Sequence, residues 1–135
     1  MTAEEEVLEA ARRLVEAFGS HDVEAYFASF AEDATFVFHN HPALLGSRAE
    51  YEAVWSGWEQ DGFHVDGCVS TAQRAHLLTA DVAVFVHCVS TTLAGEPAPQ
   101  RERESIVFRR DGSGRWLGVH EHLSVDPTTD ADQSP

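Results

Sequence analysis

The sequence predicts an α+β domain, with three N-terminal helices packed on a strongly curved antiparallel sheet that encloses a pocket. Three observations predict it. Apolar residues recur at helical spacing up to Gln60, strand-like runs take over after Gly62, and short turn-forming segments join those runs as an antiparallel meander requires. Helices followed by strands place the helices on one face of the sheet. At 135 residues and 14.9 kDa, one domain over residues 1–125 accounts for the apolar content. The acidic stretch 126–135 has too little apolar surface to fold and is expected to be a flexible tail.

Val7, Leu8, Ala11, Leu14, Val15 and Phe18 predict an amphipathic helix over Glu4 to Phe18, closed by Gly19. Asp22 can cap a second short helix that turns Val23, Phe27 and Phe30 inward. The β-branched and aromatic run Thr35 to His39 reads as a strand. Ser47-Arg-Ala-Glu50 has the form of a capping box, and Tyr51, Val54, Trp55 and Trp58 follow at helical spacing. Four strands are then expected, over Phe63 to about Thr71, Val82 to Leu93, Arg101 to Arg110 and Arg115 to Ser124. Thr79-Ala-Asp81, Gly95-Glu-Pro-Ala-Pro99 and Asp111-Gly-Ser-Gly114 supply the turns between them.

The formal charge is −14, from 23 acidic residues against nine arginines and no lysine. Such a chain repels nucleic acid and anionic membrane, so neither is expected as a partner. The absence of lysine removes Schiff-base chemistry. No apolar run reaches the length of a membrane span and the first residues are acidic, so a cytoplasmic protein is expected. Cys68 and Cys88 have no metal-finger spacing and are expected to be reduced and buried.

The stretches Ser20-His-Asp-Val-Glu-Ala-Tyr-Phe-Ala-Ser-Phe-Ala-Glu-Asp-Ala-Thr-Phe36, Gly46 before the third helix, and Val107 to Ser124 with its Trp-x-x-x-His-x-His-x-Ser ending carry a resemblance. They resemble the NTF2-like superfamily, and within it the SnoaL-like branch of ketosteroid-isomerase homologues. The association domain of calcium/calmodulin-dependent protein kinase II is also similar. The resemblance implies a cone-shaped fold, usually dimeric, with a pocket between helices and sheet. It does not imply one reaction, because this fold hosts isomerases, cyclases, dehydratases and assembly modules. The isomerase base aligns with Phe38, and the acid of the oxyanion hole falls near Ile106, with Glu104 the nearest carboxyl on that face. The association domain's pocket arginines align with His87, Val107 and Leu123.

The same resemblance places Phe38, Asn40, Phe85, His87, Val89, Glu121 and Leu123 on the pocket phase of their strands. Phe38, Asn40, Trp55, Phe85, Val107 and Leu123 are the expected substrate-contacting residues. The pairs His39/His41 and His120/His122 fall in the opposite phase, on the outer face with Trp116. They are read as part of a homodimer surface rather than a metal site, and no metal or cofactor is expected. Glu121 and His87 are the expected acid/base residues. Burial would raise the carboxyl pKa and keep the imidazole neutral, as proton transfer beside a carbonyl needs. For His87 a core imidazole satisfied by backbone or water remains open, and for Glu121 an ion pair with Arg109 or a solvated edge position. Glu50 has a structural role in its capping box, the hydroxyl of Tyr26 is expected at the surface, and Arg101 to Glu104 read as a solvated or interface face. The expected ligand is a hydrophobic carbonyl compound, acted on by an isomerase, cyclase or dehydratase. The alternative is a ligand-binding or assembly module without catalysis.

Overall fold

Thr2 and Glu5 form the first local structure: the threonine hydroxyl accepts from the Glu5 N–H, and the Glu5 carboxylate receives the Thr2 N–H in return. This capping box starts α1 (Ala3–Gly19) in the computed structural model, which describes residues 1–128. Val7, Ala11 and Leu14 form its buried stripe. Asp22 caps α2 (Val23–Ala28), and Ser47 caps α3 (Arg48–Gln60) by accepting from the Glu50 N–H. Glu50 has the structural role expected, its carboxylate accepting from the Gly46 N–H at 2.8 Å.

The strands are β1 (Phe30–Phe38), β2 (Val65–Leu77), β3 (Val82–Leu93), β4 (Gln100–Arg110) and β5 (Trp116–Val125), in the sheet order β1-β5-β4-β3-β2. β2 through β5 form the expected antiparallel meander. β1 departs from it, pairing parallel to β5, because the chain crosses the sheet through α3 before the meander begins. β1 also starts five residues before Thr35, so Phe30 belongs to the strand and not to α2. β2 runs to Leu77 rather than Thr71. As an edge strand exposed over most of its length, it needs little of the apolar alternation by which a strand is read. It bends at a bulge after Thr71, where Ala72 takes a positive φ of 55°.

A second bulge decides which side chains enter the cone. Phe108 pairs with Gly118 but Val107 pairs with His120, so Val119 is an extra residue in β5. Before it, Trp116 and Gly118 face inward; after it, Glu121 and Leu123 do. Trp116, expected outside beside the histidines on strict alternation, therefore lies in the core at 5% exposure. Gly118 is required where it stands, since a Cβ there would lie 2.8 Å from the Phe30 ring. Rings from α2, α3 and β1 (Tyr26, Phe27, Tyr51, Trp55, Phe30, Phe36) pack mostly edge-to-face in the core that backs the cone. Of the expected 126–135 tail, residues 129–135 lie outside the described residues.

Candidate active site

β4 places Glu102, Glu104, Ile106 and Phe108 on its inner face and Arg101, Arg103, Ser105 and Val107 on its outer face. The run Arg101 to Glu104 is thus not a solvated face. Its alternation of sign sorts charge across the sheet, with carboxylates inside and arginines outside. Val107 stands in the outer phase opposite His120 and does not line the cone.

The cone holds a cavity of about 70 Å³, lined among others by Tyr26, Phe38, Asn40, Tyr51, Trp55, His87, Glu102, Glu104, Glu121 and Leu123. Of the expected contact residues, Phe38, Asn40, Trp55 and Leu123 line it. Phe85 does not: it is fully buried, its ring 4.7 Å from the His87 ring. Cys68 and Cys88 are free and half-buried. Burial pushes the Cys68 thiol, on the cavity side, up to about 11.

Glu121 and His87 are each 3% exposed, but Glu104 stands between them. The His87 Nε2 bonds the Glu104 carboxylate at 2.6 Å, and Glu104 shares a hydrogen bond with Glu121. The expected Glu121–His87 dyad is therefore a triad with Glu104 at its centre. The alternative partner of Glu121, Arg109, instead pairs with Asp33 at 3.2 Å. Tyr26 is 2% exposed and turned inward, contrary to the surface hydroxyl expected; it bonds Glu121, and its oxygen lies 2.8 Å from that of Tyr51. On the other side, Ser70 Oγ lies 2.6 Å from His87 Nδ1 and accepts from Gln73.

One assignment of protons leaves no donor idle along this chain. Gln73 donates to Ser70, Ser70 to His87 Nδ1, and His87 Nε2–H to Glu104. From the other end, Tyr51 donates to Tyr26, Tyr26 to Glu121, and the protonated Glu121 to Glu104. Glu104 is then the one anion, and every neighbour donates toward it. The electrostatics agree. Burial, the Glu104 charge and the bond to Glu104 together hold the Glu121 carboxyl well above the ordinary 4.5. Burial acts to raise Glu104 too, but the bonds from Glu121 and His87 outweigh it and hold Glu104 below the ordinary range. Burial raises both tyrosine hydroxyls further. The Oε1 atom of Glu121 is buried without a hydrogen-bond partner. A buried acceptor left open is costly, and at a cavity wall it marks a place for a ligand donor or polar atom.

The histidine pairs separate. His39 follows the end of β1 and turns toward the cavity side, its Nε2 2.5 Å from the Glu102 carboxylate. Burial raises Glu102, and the His39 bond partly offsets this. His120 bonds Thr35 through Nδ1 at 2.7 Å, and burial and the neighbouring His122 lower its pKa. His122 lines a shallow groove on the outer face with Val86 and Arg103. Among the described residues no group of three or more His, Cys, Asp or Glu side chains is placed to hold a metal ion. Glu102, Glu104 and Tyr26 are the site residues that sequence reasoning misplaced. The legible signal was the shared phase of Glu102 and Glu104 with Ile106 and Phe108.

A curved sheet closed by helices around a polar-floored cavity defines the class of cone-shaped α+β folds. The model of the SnoaL-like domain matches residues 7–127, and the chain belongs to that family. Solved structures agree on the fold. An NTF2-like protein of unknown function from Pseudomonas putida is 19% identical, with a TM-score of 0.76 over 98% of this chain and 93% of its own. A ketosteroid isomerase-like protein from Erwinia carotovora is 18% identical, with a TM-score of 0.79 over 93% of this chain and 97% of its own. ActVI-ORFA from Streptomyces coelicolor is 21% identical, with a TM-score of 0.69 over 91% of this chain and 96% of its own. No curated protein sequence matches the chain. Among the described residues no helix is long and apolar enough to cross a membrane.

The shared proton has a consequence for stability. Native Glu121 keeps a proton that the unfolded chain releases near 4.5, so wild-type stability falls as pH rises from that value toward the raised native one. Glutamine at this position keeps a donor toward Glu104 and does not titrate. The stability of Glu121→Gln relative to wild type should therefore increase as the pH rises from about 5 toward neutrality, read from urea midpoints. Parallel curves for the two proteins would show that Glu121 titrates as an ordinary carboxyl.

Proposed function

We propose that this protein moves a proton beside the carbonyl of a small hydrophobic compound bound in the cone, as an isomerase, cyclase or dehydratase would. The family and the fold suggest a small-molecule or isomerase/cyclase-type role. The finer reading is supported by one observation: a buried acid, Glu121, hydrogen-bonded to a buried carboxylate, Glu104, at the wall of the cavity. Two carboxyls whose surroundings push their proton affinities apart form an acid and a base in one place.

The step proposed uses side chains alone. The ligand carbonyl oxygen lies beside the protonated oxygen of Glu121, and the acid proton turns from Glu104 toward it. Glu104 loses that donor and becomes more basic, while His87 continues to hold it in position. Glu104 takes a proton from the carbon next to the carbonyl, the C–H electron pair forms the C=C bond, and Glu121 protonates the oxygen to give an enol. Return of the proton to another carbon yields an isomer. Return to the same carbon is silent except in heavy water.

Acetophenone in D2O provides the test. The protein should accelerate deuterium incorporation into the methyl group, and Glu104→Gln should reduce that acceleration by about 100-fold or more, the scale of general base catalysis. Ligand binding without exchange, across a panel of small ketones, would instead favour a binding module.

We also propose a homodimer through the outer sheet face. Val69 and Val86 are 62% and 38% exposed there, and Val86 lines the same groove as His122. Sedimentation should give twice the chain mass for wild type and the single-chain mass for a Val69→Asp/Val86→Asp double variant. A monomeric wild type contradicts this.

A further inference from the structure

The cavity has carboxyls at three wall positions and no arginine to answer them. Glu102, Glu104 and Glu121 line it, and the chain's nine arginines all lie elsewhere. Its remaining wall mixes aliphatic and aromatic side chains, with Tyr51, Trp55 and Trp58 among the rings. Such a surface excludes a carboxylate or phosphate ligand by repulsion, and it favours a cation, which gains from carboxylates and from the faces of aromatic rings alike. The unpartnered Oε1 of Glu121, on a side chain 3% exposed, shows that this polar wall is incomplete without a ligand.

The two ends of the row differ in their engagement. Glu104 and Glu121 are committed to each other and to His87 and Tyr26. Glu102 is buried at 6% exposure, and its partner is the single imidazole of His39, from the turn after β1. Glu102 and Glu104 share a strand face two residues apart, so their side chains are separated by roughly 6.6 Å along β4.

Resting on the carbonyl reading above, we propose that the ligand also carries a protonated amine, seated against Glu102 while its carbonyl lies at Glu104 and Glu121. The amine and the carbonyl carbon are then on the order of 6–7 Å apart, set by the strand spacing. Glu102 is a specificity-determining residue that selects ligand charge, and His39 holds its carboxylate toward the cavity.

Three para-substituted acetophenones of similar shape test this by calorimetry: the cation 4-(aminomethyl)acetophenone, the neutral 4-(hydroxymethyl)acetophenone and the anion 4-acetylbenzoate. The amine should bind about tenfold tighter than the alcohol, a difference of about 1.4 kcal/mol, and the benzoate should bind most weakly. Glu102→Gln, which keeps a hydrogen-bonding group toward His39, should shrink the amine-to-alcohol ratio to below about threefold. Equal affinity for amine and alcohol in the wild type, or a ratio unchanged in Glu102→Gln, overturns the proposal. Deuterium exchange into the neutral alcohol, followed in parallel, separates the two readings. Exchange without charge preference removes only the amine, and charge preference without exchange removes only the catalysis.

Discussion

A single proton held between two buried carboxyls organises this site. Glu104 and Glu121 stand on neighbouring strands of a sheet closed over by aromatic helices, where two ionised carboxylates could not persist together. Keeping Glu121 protonated converts a repulsive pair into an acid–carboxylate hydrogen bond. The remaining polar groups, from Gln73 and Ser70 through His87 on one side to Tyr26 and Tyr51 on the other, can then all donate toward one anion. Hydrogen bonds to a charged group are worth about 1.5–3 kcal/mol each, so the donors that converge on Glu104 offset much of the cost of burying it.

That arrangement depends on backbone register. The extra residue Val119 shifts the phase of β5, bringing Glu121 beside Ile106 inside the cone and sending His120 and His122 outward. Without the bulge, the residues sharing the inward phase of Trp116 and Gly118 would have been the two histidines. The helices complete the site from the other side. Tyr26 and Tyr51 deliver their hydroxyls from α2 and α3, and the surrounding rings exclude water from the bonds beneath.

The elements were legible in the sequence wherever local chemistry dictates them. Ser47 and Asp22 cap where their side chains predict, and β3 spans the residues Val82 to Leu93 that its apolar run marks out. The pocket phase of Phe38, His87, Glu121 and Leu123 was legible from the resemblance. What alternation could not reveal was the bulge at Val119, and so the inward turn of Trp116, because an inserted residue leaves no compositional trace. The role of Glu104 was obscured because Arg101 to Glu104 alternates in sign, a pattern shared by solvated strands; the neighbouring Ile106 and Phe108 in the same phase were the better guide. Val107 was assigned by alignment to distant relatives and fails by one residue of register. His39 escapes the outer phase because β1 ends at Phe38, and beyond a strand its alternation no longer holds.

Carbon-13 NMR of carboxyl-labelled glutamate, titrated through neutral pH and assigned with Glu121→Gln, tests the shared proton most directly. The Glu121 carboxyl carbon should retain the chemical shift of an acid at neutral pH while Glu104 remains ionised down to acidic pH. Two carboxylates both ionised at neutral pH, each titrating in the ordinary glutamate range, would contradict it.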